Sequence, residues 1–275
     1  MLKRTISGIV LFVVFTACIF TGAKAFLALL FLCSMIAVYE LSKALQIHSD
    51  DKKVNALEIV MYLSTIAIYA VTLVSGKEVI DKRIIAVLVI MILIQLAIYV
   101  FAFPKFHATQ ITAAIFSVMY APLLLSFGYR VEAFSAHPYI MTALIFIVSS
   151  ASDVFAYFVG VNFGKHRLAP VLSPKKSIEG SVGAIVLTSL SCMLYVFCLN
   201  RAGYMDMKYL GLFAVIGAVG SIISQIGDLA ASAFKRNYDV KDYGNLIPGH
   251  GGVMDRVDSW LVAMPVVYLI LQLME

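Results

Sequence analysis

Nine stretches of this chain are each long and apolar enough to cross a lipid bilayer, and that leaves few folds open. They run over 6–22, 25–42, 56–75, 84–103, 109–128, 138–160, 181–199, 209–233 and 257–274. A crossing takes about 20 mostly apolar residues in a helix. Inside the hydrocarbon the backbone must satisfy itself, so a stretch of this length is a helix. The expected fold class is all-α: a polytopic integral membrane protein with about nine transmembrane helices. Composition agrees, with 61% hydrophobic and 13% charged residues, where a soluble domain is nearer half apolar and a quarter charged.

Basic residues in such a chain report topology first. With the N-terminus in the cytoplasm, fourteen of the 21 Lys and Arg residues fall on the cytoplasmic side and seven on the other. Lys3, Arg4, Lys43, Lys52 and Lys53 are among the fourteen, and Lys77, Lys82 and Arg83 among the seven. The net charge of +5 is therefore no sign of nucleic-acid binding. The basic, then apolar, N-terminus resembles a signal peptide but lacks a clear cleavage site, and is expected to remain as the first span. Cys18, Cys33, Cys192 and Cys198 lie in apolar runs without a CxxC pair and read as packing residues. His48, His107 and His137 read as solvated loop residues, and Glu40, near a span end, as reaching the interface. Residues 1–130 read as transmembrane scaffold. Residues 131–275 read as the catalytic transmembrane region, with long polar connections at 161–180 and 234–256 on the cytoplasmic face.

The ionisable groups gather late in the chain. Asp153 interrupts the apolar sixth span, with Ser149, Ser152, Ala156 and Gly160 as small neighbours that admit a second helix. An unpartnered carboxylate there is costly, which favours a site-facing role. The connection that follows offers Lys165, Lys175, Lys176 and Ser177 just before a helix start. Free N–H groups and the positive helix end suit that stretch to a phosphate cradle, and a positive-inside loop is an equal reading of the same residues. Gln225, Asp228, Ser232 and Lys235 follow at spacings of three, four and three, a polar stripe on one helix face. Gly217, Gly220, Ser221 and Ser224 precede it as close-packing positions. Next come Arg236, Lys241, Asp242 and the turn Pro248-Gly249-His250-Gly251-Gly252, then Asp255, Arg256 and Asp258 opening the last span. Two carboxylates three apart on a helix repel unless a cation joins them, and hard cations take carboxylate and phosphate oxygens. No GxxxxGK[ST] is present. Acids beside Lys and Arg at a lipid boundary point to Mg²⁺-dependent phosphoryl or nucleotidyl transfer.

The ordered set Ser232-x-Phe234-Lys235-Arg236, Lys241-Asp242, Pro248-x-His250-Gly251-Gly252 and Asp255-Arg256-x-Asp258 resembles the motif of the phosphatidate cytidylyltransferase family across its 27 residues. Weaker likeness extends to Gln225–Asp228, to Ser173–Gly180 and to Asp153-x-x-Ala156-Tyr157. The resemblance implies the reaction of CTP with phosphatidate to give CDP-diacylglycerol and pyrophosphate, in the bacterial inner membrane. It also implies Mg²⁺, a cytoplasmic site and a homodimer. The nucleophile would be the already ionised lipid phosphate, so the chemistry needs charge neutralisation and alignment more than a base. On that basis Asp228, Asp255 and Asp258 are the expected metal ligands. Lys235, Arg236, Lys241, Asp242, His250 and Arg256 are the expected catalytic set. Asp153, Lys175, Lys176, Ser177, Ser232, Gly251 and Gly252 are expected to bind substrate. A CDP-alcohol phosphotransferase is excluded by the absence of DxxDGxxAR. The other reading is an ion-coupled transporter that uses the intramembrane Asp153 and Asp228.

Overall fold

The computed structural model describes residues 2–48, 53–76, 81–134 and 138–274. Lys52, Lys77 and His137 lie outside them. The described residues form eleven α-helices and one short β-hairpin. The helices are α1 (Leu2–Thr21), α2 (Ala23–Ala44), α3 (Ala56–Ser75), α4 (Lys82–Phe101), α5 (Ala108–Val118), α6 (Leu124–Glu132), α7 (Pro138–Phe146), α8 (Ser152–Phe163), α9 (Ile178–Arg201), α10 (Leu210–Asn237) and α11 (Met254–Leu271). Single π-helical turns, Met119–Leu123 and Ile147–Ala151, join α5 to α6 and α7 to α8. Seven helical stretches among the described residues are long and apolar enough to cross a membrane, so the protein is an all-α polytopic membrane protein. The expected nine are matched by seven. The first and last expected spans are helical as α1 and α11 but fall outside that count, and α11 opens on Asp255, Arg256 and Asp258.

Contacts divide the chain into two compact units, Met1–Pro138 with Asn237–Val257, and Tyr139–Arg236 with Asp258–Glu275. In the first unit α2 packs on α1, α3 and α6. Its buried residues, among them Phe26, Leu30, Ser34, Ala37, Val38 and Leu41, recur at helical spacing on one face. Asn55 and Glu58 start α3 with a capping box: each side chain accepts from the other's backbone N–H, at 3.0 and 2.9 Å. His48 is not simply a solvated loop residue, since its Nδ1 lies 2.8 Å from the buried Glu58 carboxylate. Pro122 sits inside the first π turn. A proline there removes an N–H and crowds the preceding turn, which a widened turn accommodates.

In the second unit the expected connection 161–180 holds a β-hairpin, β1 (Arg167–Ala169) antiparallel to β2 (Ser173–Ser177). The Glu179 carboxylate, in the first turn of α9, accepts from the Lys165 and His166 backbone N–H groups at 3.0 and 3.2 Å. The His166 ring closes the same clamp at 2.6 Å. Small residues let the helices approach here as their spacing predicts. A Cβ on Gly180 would stand 2.6 Å from the Ala156 carbonyl oxygen, and one on Gly217 would stand 2.6 Å from the Ser189 Cα. The first of these obstacles is backbone of α8, which cannot step aside alone. Gly180→Ala is therefore expected to destabilise this helix pair by about 1–3 kcal/mol. Thermal unfolding of the lipid-reconstituted protein checks it, and an unchanged midpoint would refute it.

Candidate functional site

The first unit carries a cavity of about 580 Å³ lined by Lys241, Asp242, Gly244, Asn245, Ile247, Gly249, His250, Gly251 and Arg256. Its wall is shaped by a turn. The Ile247 carbonyl accepts from the His250 N–H at 2.9 Å, with Pro248 and Gly249 between them. Gly249 has φ +77°, so the pattern is that of a type II turn, which favours Pro then Gly at its centre. Gly251 has φ +87° and returns its carbonyl to the Ile247 N–H at 2.9 Å. Of the residues singled out in the sequence, Lys241, Asp242, His250, Gly251 and Arg256 thus come together around one space, basic groups beside exposed backbone.

Gly252 and Asp255 lie behind that wall. Asp255 is buried, and its Oδ2 accepts from the backbone N–H groups of Tyr243 and Gly252 at 2.8 and 3.0 Å. Glu40 of α2 is a correction to the sequence reading. It does not reach the interface: it is 3% exposed. Its Oε1 accepts from the Val253 N–H at 2.9 Å and its Oε2 from the Met254 N–H at 2.7 Å. The first N–H groups of a helix have no partner within it, and Val253 offers no side-chain acceptor, so a distant carboxylate starts α11. A signal for this exists in the sequence, because a carboxylate inside an apolar helix is costly without partners. That argument selected Asp153 and applies equally to Glu40.

The second unit gathers another set. The predicted stripe lies along α10. Gln225 is buried and its Nε2 donates to the Ser221 hydroxyl at 3.2 Å, while Asp228 forms an ion pair with Lys176 of β2. Both partners of that pair remain partly exposed, at 29% and 23%. Asp258 is buried and accepts from the Ser259 N–H at 2.8 Å. Asp228 and Asp153 are like-charged groups acting on it, and Lys235 is an opposite-charged one. The Ser259 hydroxyl also lies 3.4 Å from the Asp153 carboxylate, a long contact. Gly227 brings α10 against α11: a Cβ there would stand 3.1 Å from the Asp258 carbonyl. Ser232 and Lys235 are half-buried on α10, while Lys175 on β2 and Arg236 at the end of α10 are exposed. Ser177 is buried as the N-cap of α9, its hydroxyl accepting from the Gly180 N–H at 3.2 Å.

A protein-family model described as the cytidylyltransferase family matches residues 2–274. The chain belongs to the cytidylyltransferase family. Among curated relatives of this cytidylyltransferase-family chain, a phosphatidate cytidylyltransferase of Bacillus subtilis is 39% identical over 149 residues, 54% of each chain. One of Haemophilus influenzae is 40% identical over 139 residues, 50% of this chain and 48% of the relative. One of Thermotoga maritima is 36% identical over 168 residues, 60% of this chain and 61% of the relative. The chain thus matches about half to three fifths of the length of these relatives.

Among the described residues no group of three or more His, Cys, Asp or Glu side chains is placed to hold a metal ion. The donor chemistry nevertheless fits Mg²⁺. That ion usually takes one or two carboxylates and completes its shell with water and substrate phosphate oxygens. Asp228 and Asp258 offer oxygen donors of that kind within the second unit.

Proposed function

We propose that this protein transfers the cytidylyl group of CTP to phosphatidate, giving CDP-diacylglycerol and pyrophosphate. The observation that carries the reading is the cavity of Lys241, His250, Arg256 and glycine backbone, in a chain of the cytidylyltransferase family. The names of the relatives supply the lipid substrate. An oxygen of the lipid phosphate attacks the α-phosphorus, and the bond from that phosphorus to the oxygen bridging toward the β-phosphorus breaks. Pyrophosphate leaves with the electron pair. The attacking oxygen is already ionised at neutral pH, so the barrier is the approach of one polyanion to another. Preorganised positive charge and N–H groups lower such a barrier.

Lys241, Arg256 and the backbone around Gly251 hold phosphate oxygens in this scheme, and His250 donates to one of them. Lys235, Arg236, Lys175 and Lys176 supply further positive charge. Asp228 and Asp258 are the carboxylates assigned to Mg²⁺, which when bound would neutralise triphosphate charge. The setting is the bacterial inner membrane with the site open to the cytoplasm, as the basic-residue bias supports, and the protein works as a homodimer. The intramembrane Asp153 and Asp228 have polar partners in the second unit, Ser259 and Lys176, and nothing favours a transport reading.

The deciding assay is direct. Purified protein in lipid nanodiscs with phosphatidate, CTP and Mg²⁺ is expected to release CDP-lipid and pyrophosphate in equal amounts. Omitting lipid or chelating the metal should stop both. Folded protein that yields neither product would end the proposal.

A further inference from the structure

We infer that Glu40 is a positioning residue for the proposed reaction: its carboxylate fixes the turn that carries His250 and the first turn of α11 that carries Asp255 and Arg256. The inference rests on the functional reading above for its consequence, but on geometry for its substance. One carboxylate takes two consecutive backbone N–H groups, Val253 on Oε1 and Met254 on Oε2. Charge-assisted bonds of this kind are the strong ones, and negative charge is favoured at a helix start. Two glycines also press on the same group. A Cβ on Gly252 would stand 2.4 Å from Oε1, and one on Gly244 would stand 2.5 Å from it. Asp255 completes the arrangement, taking the Tyr243 and Gly252 N–H groups on Oδ2. Two carboxylates therefore tie residues 243–244 to residues 252–254, which are the two ends of the loop that walls the cavity. Glu40 contributes from α2, more than two hundred residues away in the chain.

Glutamine at this position keeps the shape but replaces one acceptor oxygen by an NH₂ donor. One of the two backbone N–H groups then faces a donor, and the turn loses a fixed point. The test compares wild type, Glu40→Gln, Glu40→Ala and Glu58→Gln in nanodiscs. Glu58 is another buried carboxylate of the same unit and serves as the control for general destabilisation. Three quantities are read: steady-state kinetics with CTP and phosphatidate, hydrogen exchange of peptides covering 241–256, and the unfolding midpoint. In Glu40→Gln, kcat should fall about ten- to hundredfold. KM for CTP should change by less than about threefold, the split that marks an interaction made in the transition state. The amides of 252–254 should exchange at least about tenfold faster. Glu58→Gln should lower the midpoint and leave the exchange of 241–256 and kcat per folded molecule alone. Wild-type kcat in Glu40→Gln overturns the inference, with or without faster exchange. So does a loss of activity in Glu40→Gln that merely follows the fraction unfolded. If Glu40→Ala does not fold, the isosteric variant still decides. A wild-type protein that makes no CDP-lipid ends the functional reading instead, and the exchange measurement still reports whether Glu40 holds the turn.

Discussion

Asp258→Asn is expected to lower CDP-lipid formation at least about a hundredfold while leaving the protein as stable as before or slightly more so. The two halves of that expectation have one cause. Asp258 is buried, with Asp228 and Asp153 as like-charged neighbours and Lys235 as an opposite-charged one. Burying a carboxylate costs solvation, and like charges near it add to that cost, so the fold holds this charge at a disadvantage. Asparagine keeps the shape and one oxygen to receive the Ser259 N–H, and it removes one unit of repulsion. The same substitution takes away a carboxylate assigned to neutralising the triphosphate through Mg²⁺. Losing one preorganised electrostatic contact of that sort costs about a hundred- to a thousandfold in turnover. Kinetics and thermal unfolding on the same preparation separate the effects. Wild-type turnover would remove Asp258 from the reaction. A steep fall in the unfolding midpoint would mean that its role is structural.

Gly252→Ala should be nearly as damaging, for a different reason. The added Cβ would meet Glu40 Oε1 at 2.4 Å, Cδ at 2.5 Å and Oε2 at 2.5 Å. Those atoms end a long side chain, which could swing away if nothing held it. They are held by the Val253 and Met254 N–H groups and are buried. Relief therefore requires giving up these bonds or moving the turn. We expect a stability loss of about 1–3 kcal/mol from overpacking and a loss of turnover of about a hundredfold or more if two charge-assisted bonds break. Gly211→Ala is the control. A Cβ there meets nothing within 4 Å, so turnover should stay at the wild-type level. Equal losses from both substitutions would show that the tight spot at Gly252 carries no special weight.

Much of this arrangement is legible in the sequence. Apolar stretches of bilayer length fix the helices, and the spacing of Gln225, Asp228, Ser232 and Lys235 puts them along one helix. Gly217 and Gly220 are close-approach points, as small residues inside apolar helices suggest. The turn at Pro248–Gly252 follows from proline and glycines whose backbone angles only glycine adopts easily. The rest depends on partners that local pattern does not name. Nothing near Glu40 points to Val253 and Met254, because the pairing is made by folding. Ser177 reads as a phosphate contact from its neighbours Lys175 and Lys176, and that pattern does not show that its hydroxyl also accepts the Gly180 N–H as the N-cap of α9. The hairpin of β1 and β2 hides behind Pro170 and Pro174 in a stretch too short for a strand period. Lys176 gives no sign in sequence that its ammonium pairs with Asp228 rather than standing in solvent.

The wide turn at Ile147–Ala151 has an effect beyond its five residues. A surplus residue in one turn advances everything after it by about 100° around the axis, one residue's worth of rotation in an α-helix. Asp153 comes two residues after that turn ends, so the direction of its carboxylate is a matter of phase, set upstream by how many residues the turn holds. The compass bearing of an acidic group in the second unit is thus written into a run of Ile, Val, Ser and Ala that bears no charge at all.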